Sequence, residues 1–334
     1  MLKLQDNADF TDLWGLVLAA GDGKRLQQFI QHRTGTRIPK QYVNFVGRRS
    51  MLEHTMHRAE KLIPESKILT IVGRHHLKYA EVRRQLFYRP EQNVVVQPAN
   101  KETGPGLLLP LMHIYKRSPE AIVAVFPSDH FIWEEDRFMD HVKLAARKVA
   151  RDPSRIILLA VEAQEAEVDY GYVVPRDDMG HFDLYGVRSV ARFIEKPTVS
   201  VASSLVKAGA LWNTMTMVFK VKTLLQLVQK IHPTTHRHFS RVFEAIGTDA
   251  ESDTVDEVYR NLESLDFSTG ILEKIAVISP EAISALPVLQ VFWSDWGSPR
   301  RVMQVQERLG LTRSCAVRSR RTSGSFLAWQ RELA

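Results

Sequence analysis

The stretch W-G-L-V-L-A-A-G-D-G-K-R, residues 14–25, decides the fold that we expect for this 334-residue chain. Its first part, Trp14 to Ala20, is a short apolar run of the kind that forms a fully buried strand. The run ends at Gly21 and Gly23, where backbone can approach a ligand closely. Amides of such a turn form an anion-binding concavity, and Arg25 adds a planar, permanent charge. The stretch favours a phosphate-binding loop, although tight turns also use glycine for conformational reasons alone.

The composition is that of an ordinary globular protein, with 44% hydrophobic and 25% charged residues. Such a length allows one large α/β domain or two smaller ones. Cys315 is the single cysteine, so an intramolecular disulfide and a cysteine-based metal cluster are excluded. The N-terminus lacks a signal pattern, and no run reaches the ~18 apolar residues of a membrane span. We therefore expect a cytoplasmic protein without a membrane partner.

The formal net charge of +7 favours anionic partners. Most basic residues are scattered rather than interleaved with aromatic residues, so phosphorylated small molecules are expected and nucleic acid is not. The alternative is a nucleic-acid contact through the tail, residues 311–334, which contains Arg313, Arg318, Arg320 and Arg321. A solvated terminal extension explains the tail more simply.

Strand-like and helix-like segments alternate through the first half. Further strands are predicted at Ile68–Val72, Val94–Gln97, Ala121–Phe126 and Ile156–Val161. The predicted helices are one capped by Ser50 and Glu53 and stopped by Pro64, then His75–Phe87, Gly106–Tyr115 and Glu135–Ala150. This order predicts a Rossmann-like α/β fold, with a mostly parallel sheet covered by helices on both faces and ligands at the carboxyl ends of its strands.

The second half predicts a smaller sheet extension and then mainly helices. The predicted strands are Tyr170–Pro175, Phe182–Tyr185, Val187–Ile194, Leu211–Phe219, Ile275–Ile278 and Leu289–Trp293. The predicted helices are Val199–Lys207, those within Lys222–Leu262, and Pro299–Leu309. No break forces two folding units, so we expect one domain over about residues 1–310.

Two aspartates follow predicted strands, Asp129 in P-S-D-H and Asp295 in W-S-D-W-G-S. Carboxylates at such ends could hold Mg²⁺ together with substrate phosphates, or each could simply cap the following helix. Combined with the glycine loop and a further cation, Lys40, they favour metal-assisted phosphoryl or nucleotidyl transfer. His130 is expected to be structural. The remaining histidines, His75 and His76 among them, show no zinc-site spacing.

Eight blocks over about residues 14–300 then carry a family resemblance. They are L-A-A-G-D-G-K-R (18–25), P-K-Q (39–41), Q-P-A-N-K-E-T-G-P (97–105), P-S-D-H (127–130), D-Y-G-Y (169–172), F-I-E-K-P (193–197), L-W-N (211–213) and W-S-D-W-G-S (293–298). In this order they resemble the sugar-1-phosphate nucleotidyltransferases, most closely the mannose-1-phosphate guanylyltransferases.

The resemblance implies attack of a sugar-1-phosphate oxygen on the α-phosphorus of a nucleoside triphosphate, with release of pyrophosphate. The implied catalytic residues are Arg25, Lys40, Asp129 and Asp295, with Asp129 and Asp295 as Mg²⁺ ligands. The implied nucleotide-binding residues are Gly21, Gly23, Arg25, Gln97 and Gly104. The implied sugar-phosphate residues are Gly171, Glu195, Lys196 and Asn213. A nucleotide-binding part would cover about residues 1–165 and a sugar-binding part about 166–310.

GTP and mannose-1-phosphate are the substrates that the resemblance favours, and it leaves the oligomeric state open, a homo-oligomer included. Several residues depart from the family pattern: Lys24 replaces threonine, Thr214 and Met215 replace a small residue and glycine, and Trp296 replaces a smaller residue. The proline usual shortly after the loop arginine is also missing. If Met215 and Trp296 block turnover, the chain would be a catalytically impaired homologue that senses nucleotide-sugars or regulates other subunits. The block P-K-Q-Y (39–42) also resembles the cytidylyltransferases of isoprenoid synthesis, a lesser alternative.

Overall fold

A nine-stranded sheet forms the centre of the protein, in a computed structural model that describes residues 12–176 and 186–311. Its strands are β1 Leu13–Ala19, β2 Ile68–Gly73, β3 Val94–Gln97, β4 Ile122–Pro127, β6 Ile156–Glu162, β7 Gly171–Pro175, β8 Arg188–Glu195, β9 Leu211–Lys220 and β10 Ile283–Pro287. Their order across the sheet is β3-β2-β1-β4-β9-β6-β10-β8-β7. Two further short strands, β5 Phe131–Ile132 and β11 Trp293–Ser294, form a separate antiparallel ribbon.

Most strands of the sheet point in the same direction, as predicted, although four of the nine strand pairings are parallel and five are antiparallel. β1 pairs in parallel with both β2 and β4, β2 with β3, and β6 with β10. β9 runs antiparallel between β4 and β6, which therefore point in the same direction. β7 and β8 form an antiparallel extension at one edge. The carboxyl ends of β1 to β4 consequently lie at one edge of the sheet, where a ligand cleft is expected.

Helices cover both faces of the sheet. They are α1 Gln27–Thr34, α2 Met51–Glu60, α3 Ala80–Leu86, α4 Thr103–Arg117, α5 Glu135–Arg151, α6 Val199–Lys207, α7 Val221–Ile231, α8 Pro233–Ala245, α9 Glu251–Asn261, α10 Glu273–Ile278 and α11 Pro299–Arg308. β4 shows how the two layers divide: Ala124 and Phe126 join the core that contains α2 and α5, while Val123 and Val125 join the core that contains α4 and α7. This alternation confirms that the central strands are buried on both faces.

The predicted start of one helix is correct, and that of another is not. The Ser50 hydroxyl caps α2 by accepting a hydrogen bond from the Glu53 amide, and the Ser50 amide donates to the Glu53 carboxylate. The predicted helix His75–Phe87 is interrupted, because Arg74–Lys78 forms a 3₁₀ turn before α3 begins. That turn places His75 and His76 directly after β2.

Two predicted strands are wrong. Ile275–Ile278 belongs to α10, which continues a π-helical turn at Ser268–Leu272 and buries Ile275 while Val277 and Ile278 stay exposed. Leu289–Trp293 contributes only Trp293 to the β5–β11 ribbon. Gln290 has a φ of 56°, which an extended strand does not allow. The strand of the main sheet in this region is β10, which ends at Pro287.

Two predictions fall on residues outside the described part of the chain. The strand Phe182–Tyr185 is one, and the basic tail, of which only residue 311 is described, is the other. Within residues 12–176 and 186–311, every helix is too short or too polar to cross a lipid bilayer.

Candidate active site

The glycine loop after β1 is a tight turn held by side chains from the P-K-Q block. Gly23 has a φ of +60°, and a Cβ there would lie 3.2 Å from the backbone nitrogen of Lys40. The Gln41 amide donates to the carbonyls of Ala19 and Gly21 at 2.8 and 2.7 Å. Gly23 is therefore required both for its left-handed conformation and for the close approach of the segment that carries Lys40.

A cavity of about 490 Å³ opens at the carboxyl ends of the parallel strands. Its lining includes six of the residues singled out in the sequence: Gly21, Gly23, Arg25, Lys40, Gln97 and Asp129. Asn100, Glu102, Thr103, Met215 and Gly297 also line it. The structure thus brings the glycine loop, two cations and one predicted carboxylate to a single cleft.

Lys40 is almost buried, and its ammonium group has three acceptors. Nζ lies 3.0 Å from Asp129 Oδ2, and it donates to the carbonyls of Asp295 at 3.0 Å and Trp296 at 3.2 Å. These bonds use all three ammonium hydrogens and fix the charge at the floor of the cavity. Lys40 therefore links the glycine loop to the segment around residue 295.

Asp129 presents an ionised carboxylate to the cavity. Burial opposes ionisation of this carboxyl, but the charge of Lys40 and its hydrogen bond outweigh it, so the pKa of Asp129 lies below its ordinary value. Its side chain is 33% exposed. A partly exposed, charged oxygen donor beside a phosphate-sized cavity fits a hard cation such as Mg²⁺.

His130 lines the cavity beside Asp129, and its structural role stays a prediction. The Trp293 indole donates to His130 Nδ1 at 3.3 Å, so the hydrogen of the neutral ring is on Nε2. Burial lowers the pKa of His130, more than the charge of Asp129 raises it. The neutral ring packs between Asp129 and the β5–β11 ribbon.

The carboxylate of Asp295 is paired with the guanidinium group of Arg301. Both carboxylate oxygens lie 3.1 Å from the same guanidinium nitrogen of Arg301, and Oδ1 also accepts from the Tyr170 hydroxyl at 3.0 Å and the Gly297 amide at 2.9 Å. Asp295 is 8% exposed, and the cavity lining in the described part of the chain includes Gly297 but not Asp295. A metal ion at this carboxylate would share it with the Arg301 guanidinium.

The strand that precedes Asp295 also differs from the predicted one. Asp295 was expected to follow a strand of the main sheet, but it follows β11, which pairs only with β5. Because β5 comes just after Asp129, the ribbon brings the two aspartates near each other without a parallel-sheet register. Their joint role as Mg²⁺ ligands stays a prediction.

Trp296 lies behind the cavity rather than across it. Its ring is 2% exposed, stacks on Phe131 at 5.2 Å and meets Phe45 edge-on at 5.1 Å. It lines a separate cavity of about 670 Å³ between α2 and the β5–β11 ribbon. That cavity is the larger of the two, but it holds none of the predicted site residues.

The residues predicted to hold the sugar phosphate come together beside the cavity. A Cβ at Gly171 would overlap the Glu195 carboxylate and lie 3.5 Å from Asn213 Cβ. Asn213 Oδ1 accepts from the Met215 amide at 3.1 Å, and Met215 lines the cavity. Burial raises the pKa of Glu195. The Nζ atom of Lys196 lies 3.6 Å from Glu195 Oε1, and its side chain is 60% exposed.

Met215 stands in a conformation that suits glycine, with a φ of 55°. This left-handed conformation is one that glycine adopts without the strain that a side chain brings. Gly104 takes a different position from the one expected: its amide donates to the Leu265 carbonyl at 2.8 Å, and it packs against that residue. The neighbouring Thr103 and Glu102 line the cavity instead.

Arg301 and Glu167 are site residues that the sequence analysis missed. Arg301 bridges Asp295 and Glu167, with 2.5 Å to Glu167 Oε2, and its guanidinium stacks 4.4 Å above the Tyr170 ring. The signal was a basic residue in the first turn of α11, six residues after Asp295. In the sequence alone, Arg301 looks like any charged residue on the exposed face of a helix.

Comparisons with known proteins agree with this arrangement. A family model described as nucleotidyl transferase matches residues 14–310. The xanthan biosynthesis protein XanB of Xanthomonas campestris is 25% identical over 304 residues, 90% of this chain and 61% of that protein. A mannose-1-phosphate guanylyltransferase of Escherichia coli K12 is 27% identical over 293 residues, 86% of this chain and 58% of that protein. The chain spans about three fifths of the length of these relatives.

Solved structures show the same fold. A Thermus thermophilus protein described as mannose-1-phosphate geranyltransferase has a TM-score of 0.71 at 22% identity, covering 87% of this chain and 79% of that one. A UDP-glucose pyrophosphorylase complexed with UDP-glucose has a TM-score of 0.54 at 16% identity, covering 90% and 99%. The chain therefore shares its fold with these two proteins.

Proposed function

Because the chain belongs to the nucleotidyl transferase family, we propose that it transfers a nucleoside monophosphate to a sugar-1-phosphate and releases pyrophosphate. GTP and mannose-1-phosphate are the proposed substrates. The names of several relatives, such as that of E. coli K12, support this pair. The observation that carries the proposal is the cavity in which the glycine loop, Arg25, Lys40 and Asp129 meet.

The triphosphate is proposed to bind along the loop from Gly21 to Arg25. The amides of the loop and the Arg25 guanidinium favour phosphate oxygens by charge and geometry. Arg25 is at present 3.1 Å from Asp169, in a pair whose members are both half-exposed. Such a pair is worth little in water, so a phosphate can displace the carboxylate at small cost.

Lys40 is proposed to stabilise charge that develops on the α-phosphate. Its fixed bonds to two backbone carbonyls and Asp129 hold the ammonium in place before substrate arrives, which is how preorganised electrostatic catalysis works. Asp129 is the residue best placed to hold Mg²⁺. When bound, the ion would neutralise phosphate charge.

The sugar phosphate is proposed to lie over Gly171, between Glu195 and Asn213. The missing side chain at Gly171 lets the Glu195 carboxylate lie over the strand, and Lys196 can move its exposed ammonium toward a bound phosphate. The sugar-1-phosphate oxygen then attacks the α-phosphorus directly, and pyrophosphate leaves, so no protein nucleophile takes part.

A pyrophosphate-release screen tests the proposal. Each nucleoside triphosphate is paired with each member of a sugar-1-phosphate panel in the presence of Mg²⁺. We expect release that requires both substrates, with GTP and mannose-1-phosphate the best pair. Tight nucleotide binding without turnover of any pair would establish the impaired homologue, and a preference for CTP with a non-sugar phosphate would move the chain to the cytidylyltransferases.

A further inference from the structure

Three side chains at the mouth of the glycine loop form a cluster that the proposed reaction does not use. Asp22, His75 and His76 offer one ligand atom each, and these atoms lie within 4.8 Å of one another. Asp22 belongs to the loop after β1, and the histidines follow β2. Because β1 and β2 are parallel neighbours, their carboxyl ends bring these segments together although the sequence spacing shows no metal motif.

Two distances within the cluster are close to those between ligands of one ion. Asp22 Oδ1 lies 2.7 Å from His75 Nε2 and 3.5 Å from His76 Nε2. Ligands about 2.1 Å from a metal are separated by about 3.0 Å at a right angle and about 3.4 Å at the tetrahedral angle. The observed separations lie on either side of these values, so an ion needs only a small opening of the Asp22–His75 contact.

The surroundings of His76 orient its Nε2 toward the cluster. His76 is fully buried, and the Tyr42 oxygen lies 3.1 Å from Nδ1, while the Tyr42 hydroxyl donates to the Ala19 carbonyl. With the ring hydrogen on Nδ1, donated toward these oxygens, the Nε2 lone pair faces the Asp22 carboxylate. Metal-binding histidines adopt this arrangement, in which the second nitrogen donates to an oxygen. Burial, followed by the charge of His75, lowers the pKa of His76 to about 4, which keeps the ring neutral.

Two further contacts complete the site. The Asn100 amide donates to Asp22 Oδ2 at 3.1 Å, which leaves Oδ1 toward the histidines. A Cβ at Gly73 would lie 2.9 Å from His75 Cε1, so only glycine allows the two imidazoles to pack over the end of β2. The ammonium of Lys24 is 4.0 Å from Asp22 Oδ2, but its side chain is 82% exposed and can turn away.

We infer that Asp22, His75 and His76 bind a divalent transition-metal ion, of the Zn²⁺ or Co²⁺ type, at the edge of the nucleotide cavity. Imidazole nitrogens select such ions over Mg²⁺, which prefers oxygen ligands and keeps its waters. The site is separate from Asp129. Three protein ligands leave coordination positions for water or a phosphate oxygen, since Asp22 itself lines the cavity.

The test uses the full chain, free of any histidine tag and treated with a chelator, titrated with Co²⁺ and Zn²⁺ alone. We expect one ion per chain by calorimetry and a Co²⁺ absorption band typical of nitrogen ligands. His75→Ala and Asp22→Asn should each weaken binding by at least about tenfold, because loss of a direct ligand costs no less than loss of its supporting contacts. His32→Ala, on the exposed face of α1, is the matched control and should bind as the parent does.

Melting curves of the metal-free variants show whether each has folded, and His75 is the safer position since its side chain is 45% exposed. Absence of one-to-one uptake, or equal uptake by the parent and both variants, would overturn the inference. Displacement of Co²⁺ by millimolar Mg²⁺ would overturn it too, because that would place the ion among oxygen ligands. No substrate is present, so these outcomes are independent of the proposed transferase activity.

Discussion

Replacing Asp295 with asparagine should destabilise the protein, and so should the same change at Asp129, because each carboxylate is paired with a buried cation. Considered from the sequence alone, Asp129→Asn and Asp295→Asn would each hold or raise thermal stability, because two carboxylates near one metal repel each other. The structure changes that expectation for Asp295. Its carboxylate neutralises the guanidinium of Arg301, which is 8% exposed.

The magnitude follows from what remains around Arg301. Asparagine has one oxygen where aspartate has two, and it carries no charge. Removal of one partner from a buried pair costs about 3–5 kcal/mol, and Glu167 still neutralises Arg301 in the variant, so we expect about 2–3 kcal/mol. At about 2.1 cal/mol/K per residue, a chain of this length loses about 3–4 °C in melting temperature.

The assay is thermal unfolding of both asparagine variants without ligand, together with Arg301→Gln and the double variant Asp295→Asn/Arg301→Gln. A coupling free energy of about 1–3 kcal/mol between the two positions is expected from residues in direct contact. A melting temperature for Asp295→Asn equal to that of the parent, with no coupling to Arg301, would refute the reasoning. Asp295 would then be free to bind metal as the resemblance implies.

Three further outcomes are expected. Asp129→Asn should lower kcat by ~10² or more across a Mg²⁺ titration, because it removes the charged ligand in the cavity; near-normal turnover would take Asp129 out of the metal site. Met215→Gly should change the KM for sugar phosphate more than that for nucleotide, while its φ of 55° makes the new glycine conformationally acceptable; equal changes would make Met215 a core residue only. Gly23→Ala should lower the free energy of unfolding, measured in denaturant, by about 1–2 kcal/mol because residue 23 has a left-handed backbone. Gly21→Ala is the control, since a Cβ there has no described atom within 4 Å, and equal stability of the two variants would contradict this.

The fold was largely predictable because its signals are local. The apolar strands before Gly21 and Pro127, and the Ser50–Glu53 capping box, each depend on residues close in sequence. The run Ile275–Ile278 shows the limit, because four apolar residues have no periodicity that separates a strand from a helix. β10 was missed for a similar reason, since Ser284 and Pro287 interrupt its apolar pattern.

The part of the candidate site around the glycine loop was predictable from the sequence, and the remaining part was less so. Gly23, Lys40 and Asp129 lie in motifs beside parallel strands, so fold and motif point to the same cleft. The partner of Asp295 could not be predicted, because Arg301 reaches it only through the packing of α11 against the ribbon. The Asp22–His75–His76 cluster needed the strand order, since adjacency of β1 and β2 turns two unrelated segments into neighbours.

The bonds from Lys40 to the carbonyls of Asp295 and Trp296 join residues 255 and 256 positions apart in the chain. During synthesis on the ribosome, β1 to β4 can pair as they emerge, because each needs only a neighbour already made. The ammonium of Lys40 has its carbonyl partners only after the β11 segment has left the exit tunnel. A nascent chain therefore exposes the glycine loop and Lys40 well before the residue 295 segment, and the candidate site is completed late.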